Sequence, residues 1–189
     1  MDVRWRRSRG VTETLAVAIP PDTAEEAFDF EALYRASRDD LYAYVASLLR
    51  DRAAAEDVTA QAFERAFRRR GSFSRRRGEP RAWLFGIARN AALDELRRRG
   101  RTAALDVDPE DVEAQAAPED GAELALRRAT VRTALAGLEL RERELVALKF
   151  FGGLSNGEVA RVIGVSESNA GTLIHRTLKK LREACHATP

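Results

Sequence analysis

LSNGEVARVIGVSESNAGTLIHRTLKKLR, residues 154–182, decides how this chain folds. Ser155 followed by Glu158 is a capping box, in which a hydroxyl and a carboxylate satisfy the free amides that open a helix. Apolar Val159, Val162 and Ile163 follow at helical spacing. Ala160 is small enough for a second helix to cross close by, and Gly164, shortly after it, takes the backbone angles of a sharp turn at no steric cost. A further helix is predicted after Ser166, and Val165, Leu173, Ile174, Leu178 and Leu181 supply the remaining apolar positions. Cap, small residue, turn glycine and basic helix end coincide in the order of a helix-turn-helix, whose second helix lies in the DNA major groove. Its polar candidates are Ser168, Asn169, Thr172, His175, Arg176 and Lys179. A helical hairpin inside some larger helical protein has the same apolar spacing, with those residues forming only a wet face.

Upstream, Phe30, Leu33, Tyr34, Leu41, Tyr44, Val45, Leu48 and Leu49 recur at helical spacing, predicting one amphipathic helix or a closely spaced pair. Residues 53–70 and 80–99 carry the same period; Pro80 suits a first helical turn and Gly100 a C-terminal cap. Strand-like alternation is scarce. TAALDVDPEDVEAQAAPED, residues 102–120, is short of large apolar groups and contains Pro109 and Pro118, so a linker is expected there. The second module begins near Glu123. The expectation is an all-α chain of two small helical domains, at 28–101 and 121–185, joined by an acidic flexible linker at 102–120 and preceded by a flexible tail at 1–27.

Composition narrows the function. With 189 residues, 44% of them hydrophobic, the chain can fill two small cores without disulfides or metals. The single Cys185 excludes an internal disulfide framework, and no apolar run approaches the roughly 20 residues that cross a bilayer. A cytoplasmic location with no direct membrane insertion is expected. The N-terminus starts basic like an export signal, but Glu13 interrupts its apolar stretch. Net charge is only +2, yet its distribution is uneven: residues 1–101 hold 21 basic and 16 acidic side chains, 102–120 none and 7, and 121–189 hold 11 and 7. Two basic blocks flanking an acidic strip suit two modules that face a polyanion. His175 and His186 are the only histidines, which assembles no zinc site, and Asp106, Asp108, Glu110 and Asp111 lack the glycine and terminal glutamate of a calcium loop. With no phosphate-binding loop and no nucleophile paired with a histidine, neither an enzyme nor a cofactor is expected.

Within 80–101, Asn90, Asp94, Arg97, Arg98 and Arg101 fall on one helical face, offering an amide, a carboxylate and forked guanidinium donors for phosphate. Trp83 and Phe85 offer flat surfaces for unstacked bases. The plainer reading pairs Asp94 with Arg97 and Arg98 on a solvated face and puts Trp83 in the core.

From Phe30 to Ala184 the chain resembles the extracytoplasmic-function group of bacterial RNA polymerase sigma factors, which carry only the second and fourth conserved regions of larger sigma factors. AEDVTAQAFERAF, residues 55–67, looks like the core-binding helix of region two, and FSRRRGEPRAWLFGIARNAALDELRRR, residues 73–99, like its promoter-melting segment. LELRERELVALKFFGGLSNGEVARVIGVS, residues 138–166, is similar to the stretch leading into the recognition helix of region four. The resemblance implies that Asp57 and Gln61 dock on core RNA polymerase. Helical spacing puts Glu64 and Arg68 on the same face, with Ala55, Ala62, Phe63, Ala66 and Phe67 toward the other side. It further implies that the Phe73–Arg81 loop and the helix after it capture bases of the opened minus-ten element, and that region four reads the minus-thirty-five element of promoter DNA as duplex. An anti-sigma factor is a partner of many members.

Four positions depart from the family pattern. Glu139 stands where a proline is frequent, Ala62 where an acidic residue is common, and Gly171 and Leu173 where many relatives place Lys or Arg. Weaker phosphate grip by the recognition helix is expected, and Gly171 costs that helix about 1 kcal/mol. The alternative is a stand-alone helix-turn-helix regulator that binds duplex DNA without polymerase, which accounts for the second module but not for the two polar faces of the first.

Overall fold

A computed structural model of the chain describes residues 29–102 and 122–187. The expected tail at 1–27 and residues 103–120 of the expected linker lie outside them. All the regular structure among the described residues is helical.

The first module is a three-helix bundle whose starts are set by local capping. Asp29 accepts the Ala32 amide at 3.0 Å and opens α1 (Phe30–Leu49), which resolves the one-or-two question as a single helix. Arg50 then turns the chain with φ 49°, and Asp51 accepts the Ala54 amide at 2.9 Å to open α2 (Arg52–Arg69). Two short 3-10 turns, Arg70–Ser72 and Arg75–Arg77, lead into α3 (Pro80–Thr102). Pro80 is its first residue, as expected, but the helix runs through Gly100 to Thr102, so the expected cap there is not used. Arg99 reaches Asp51 at 2.8 Å and ties the end of α3 to the start of α2. Leu41, Tyr44, Leu48, Ala55, Ala62, Leu84, Phe85 and Ala88 fill the middle, each 2% exposed or less. Full burial of each large apolar side chain is worth about 1.5–3 kcal/mol.

The second module comprises α4 (Ala122–Ala136), α5 (Leu140–Phe150), α6 (Asn156–Ile163) and α7 (Glu167–Ala187). At Glu139, where a proline was the family habit, the Glu142 carboxylate accepts the Glu139 amide at 2.9 Å and also takes Lys180 of α7 at 2.7 Å. α5 is thereby stitched to α7. The predicted box forms, with Glu158 accepting the Ser155 amide at 2.7 Å, and Gly164 ends α6 with φ 75° and ψ 42°. That left-handed conformation is where a side chain is strained and glycine is not.

The two modules are packed together. α1 lies against α5 and α3 against α6, and one apolar cluster runs from Leu41, Tyr44 and Phe85 into Leu145, Leu148, Val159 and Ile174.

Candidate polymerase and nucleic-acid interfaces

Asp57, Gln61, Glu64 and Arg68 are all exposed along one side of α2, while Ala55, Ala62, Phe63 and Ala66 are buried on the other. Arg68 pairs with Glu64 at 2.6 Å one turn apart, an exposed pair worth a few tenths of a kcal/mol. Phe67 departs from the expected apolar side: it is 48% exposed, with Phe30 at 5.3 Å and the Arg70 guanidinium 3.9 Å above its ring. The last turn of α2 rotates it past the edge of the bundle, so this end of the helix carries an aromatic surface beside the polar one.

On α3, Asn90, Asp94, Arg97 and Arg98 are exposed together. Arg101 shares their helix in its last turn, its side chain lying outside the described residues. Arg97 donates to Asp94 at 2.9 Å, whereas Arg98 forks onto Glu95 at 2.7 and 2.8 Å, so the expected carboxylate partner of Arg98 is replaced by its neighbour. Hydrogen bonds from Arg98, against the opposing effect of burial and with help from Arg99, hold the Glu95 carboxyl below its usual range.

The two aromatic candidates part company. Phe85 is fully buried, 5.3 Å from Tyr44, and belongs to the core; the expectation that it offers a stacking surface is wrong, because it lies on the α3 side turned toward α1. Trp83 is half-buried and packs on Phe73 at 5.3 Å. It lines a cleft of about 270 Å³ with Ser72, Phe73 and Glu79 of the loop before α3, whose far wall is Arg161 and Val162 of α6. Gly78 shapes the loop with φ 137°, and the tip of Arg161 comes so close that a Cβ there would stand 2.9 Å from its Nη1.

On α7, Ser168, Asn169, Thr172, His175, Arg176 and Lys179 are all exposed, and Ala170, Ile174 and Thr177 are buried against the rest of the module. Glu158, at the start of α6, keeps a depressed carboxyl pKa; burial opposes this, and the Ser155 hydroxyl and amide overcome it. Among the described residues no cluster of three metal-ligating side chains occurs and no helix is long and apolar enough to cross a membrane.

Sequence reasoning missed two cations. Arg89 precedes Asn90 and donates to Glu144 of α5, which is 5% exposed. Arg161 roofs the cleft. Both act across the boundary between modules, where helical periodicity carries no signal.

A helix-turn-helix with an exposed polar face on its second helix, joined to a helical bundle with a second basic face and a cleft beside it, defines a two-module reader of DNA. Region 2 of the sigma-70 family matches residues 33–102, and region 4 matches 128–181. BldN of Streptomyces coelicolor, an ECF RNA polymerase sigma factor, is 36% identical over 162 residues, covering 84% of this chain and 61% of that one. SigX of Bacillus subtilis is 32% identical over 82% of each chain, and SigL of Mycobacterium tuberculosis 31% identical over 84% of this chain and 90% of the relative. The fold matches the sigma factor RpoE of Bartonella quintana, solved with the anti-sigma factor NepR, at TM-score 0.72 and 25% identity, covering 85% of this chain and 99% of that one. CnrH, solved with the cytosolic domain of CnrY, matches at TM-score 0.60 and 25% identity, covering 85% and 89%. The chain belongs to the extracytoplasmic-function family of RNA polymerase sigma factors: it serves core polymerase in recognising promoters.

Proposed function

We propose that the three surfaces divide that work. Asp57, Gln61, Glu64 and Arg68 dock α2 on core polymerase; the exposure of this polar face opposite a buried alanine and phenylalanine face is the observation that carries the reading. The cleft beside Trp83 takes one unstacked base of the minus-ten element, its volume lying just under the range of about 300–1,000 Å³ used for larger ligands. Asn90, Asp94, Arg97, Arg98 and Arg101 hold the strand that leads to it. A pocket that binds only an unpaired base lowers the free energy of the melted state, so the chain opens DNA by differential binding and carries out no reaction of its own. α7 reads the minus-thirty-five element through Ser168, Asn169, Thr172, His175, Arg176 and Lys179. The modules are 28–101 and 121–185, with the acidic segment between them, and the chain works in the cytoplasm. The structural relative solved with an anti-sigma factor supports such a protein as a partner here as well.

Transcription from a genomic DNA library tests this, with purified bacterial core polymerase in the presence and absence of the chain. Discrete start sites that need both components are expected. Binding to duplex DNA by the chain alone, with no association with polymerase and no new start sites, would sink the reading in favour of a stand-alone regulator.

A further inference from the structure

We propose that the aromatic edge between α1 and α2 is a docking surface for a segment of this same chain, residues 10–28, whose apolar run at 15–19 seats on Tyr34 and Phe67. The effect on polymerase binding rests on the assignment of the α2 face above; the contact itself does not.

The surface is built from both helices. Phe30 opens α1, and its ring meets Phe63 at 6.5 Å and Phe67 at 5.3 Å. Tyr34, one turn further on, meets Phe63 edge-on at 4.7 Å. Phe63 is buried, but Tyr34 is 39% and Phe67 48% exposed. Aromatic rings gain most from leaving water, so two of them exposed side by side over a third call for a partner, which single scattered apolar residues do not. Phe67 stands three residues after Glu64 and next to Arg68, so whatever covers it borders the polar face of α2.

Reach, composition and charge select residues 10–28 as the occupant. They join the first module at the patch itself: Asp29 caps α1, and Phe30, its first residue, belongs to the aromatic cluster. LAVAI at 15–19 is a run of five apolar residues, and the ten residues 20–29 that tether it extend up to about 33 Å. One helical turn, about 5.4 Å, separates Phe30 from Tyr34, so the tether spans the patch with length to spare. A tether this short holds the segment at an effective concentration of roughly millimolar order, at which a modest apolar contact suffices for capture. Residues 10–28 carry Glu13, Asp22, Glu25 and Glu26 and no Lys or Arg, whereas residues 64–70 at the end of α2 expose Arg65, Arg68, Arg69 and Arg70 beside the single acid Glu64. Arg70 lies 3.9 Å over the Phe67 ring and has no carboxylate partner among the described residues, so an acid arriving with the segment finds a cation at the seat. The acidic stretch 102–120 is the other candidate by charge, but its longest apolar run is three residues. It also leaves from the wrong end of the bundle: Arg99 ties the end of α3 to Asp51 at the start of α2, and Phe67 lies fifteen residues along that helix from Arg52, roughly 23 Å away.

Because Glu64 and Arg68 border the seat, the segment and core polymerase compete for this end of α2.

Methyl NMR on the full chain tests the contact. Ile19 is one of four isoleucines, so an isoleucine-labelled sample gives a countable spectrum in which Ile19→Val assigns its signal. The Ile19 methyl should show contacts to the Tyr34 and Phe67 rings and a ring-current shift upfield, both lost in Phe67→Ser. Should Phe67→Ser disturb the bundle, Leu15→Ser/Val17→Ser, made outside the described residues, carries the same readout. An Ile19 methyl at the position of a free peptide, or in contact with another part of the chain, overturns the proposal. Retention on immobilised core polymerase is measured beside it. If the segment covers the patch in about nine chains of ten, Leu15→Ser/Val17→Ser should bind up to about tenfold more tightly. Unchanged affinity on releasing the segment overturns the competition. Methyl contacts with no retention of any variant would uphold the docked segment and overturn the α2 assignment instead, so the two failures are told apart.

Discussion

Gly78 sits at φ 137° and ψ −179°, a backbone conformation open to glycine and costing other residues about 1–3 kcal/mol. Its neighbour Arg161 is a flexible side-chain tip that can swing away, so the backbone and not the contact sets the penalty for a new methyl group. Gly78→Ala should therefore lower unfolding free energy by about 1–3 kcal/mol, read from the urea midpoint, and should weaken single-strand DNA binding by deforming the cleft wall. An unchanged midpoint would mean that the loop adopts an ordinary conformation at no cost. At Asp57 the opposite division is expected. The side chain is exposed on α2, so Asp57→Arg should leave stability within about 0.5 kcal/mol, yet abolish retention of the chain on immobilised core polymerase. Retained binding would count against the docking face.

At the scale of the helix, legibility follows the range of the forces involved. Ser155, Glu158 and Gly164 were readable because a cap and a left-handed turn are settled within a few residues, and the structure places all three as the spacing implied. The aromatic pair at 83 and 85 was not separable, since both sit two residues apart on a helix that is covered on more than one side; only packing against α1 assigns Phe85 to the core and leaves Trp83 at the cleft. Gly100 failed as a stop signal because its backbone is not in the left-handed conformation of a cap, and α3 runs on through it to Thr102. Gly171 offers a direct test of helical propensity in α7. A Cβ there would meet the Asn156 amide nitrogen at 3.5 Å, an ordinary contact, so nothing in the fold requires glycine. Gly171→Ala should raise stability by up to about 1 kcal/mol in chemical denaturation. A loss would show that α7 needs the close approach to α6 that glycine allows.

For the whole molecule, the decisive contacts join residues far apart in sequence: Arg89 and Glu144 are 55 positions apart, and Arg81 and Phe151 are 70. Periodicity marks which side of a helix is apolar, not which polar side a second module will cover, so closure was invisible in the sequence while each module was not. The same long-range ties make acid stability a collective property. Asp51 has a depressed carboxyl pKa, chiefly through the Ala54 amide, with burial opposing and Arg99 assisting; Glu142 has one through Lys180 and the Glu139 amide. Glu95 and Glu158 are shifted the same way. A carboxyl whose folded pKa lies below its unfolded value takes up its proton later in the fold than in the unfolded chain. Its stabilisation is therefore complete above the unfolded value and lost as pH falls through the folded one. With unfolded carboxyls titrating near about 4, the urea midpoint should be level from neutrality down to about pH 5 and then fall progressively below about pH 4. Lys180→Met should remove the charge that holds down Glu142 and make the acid decline shallower. An equal decline in the variant would mean that Glu142 gains nothing from α7, and that α5 and α7 are joined by their apolar contacts alone.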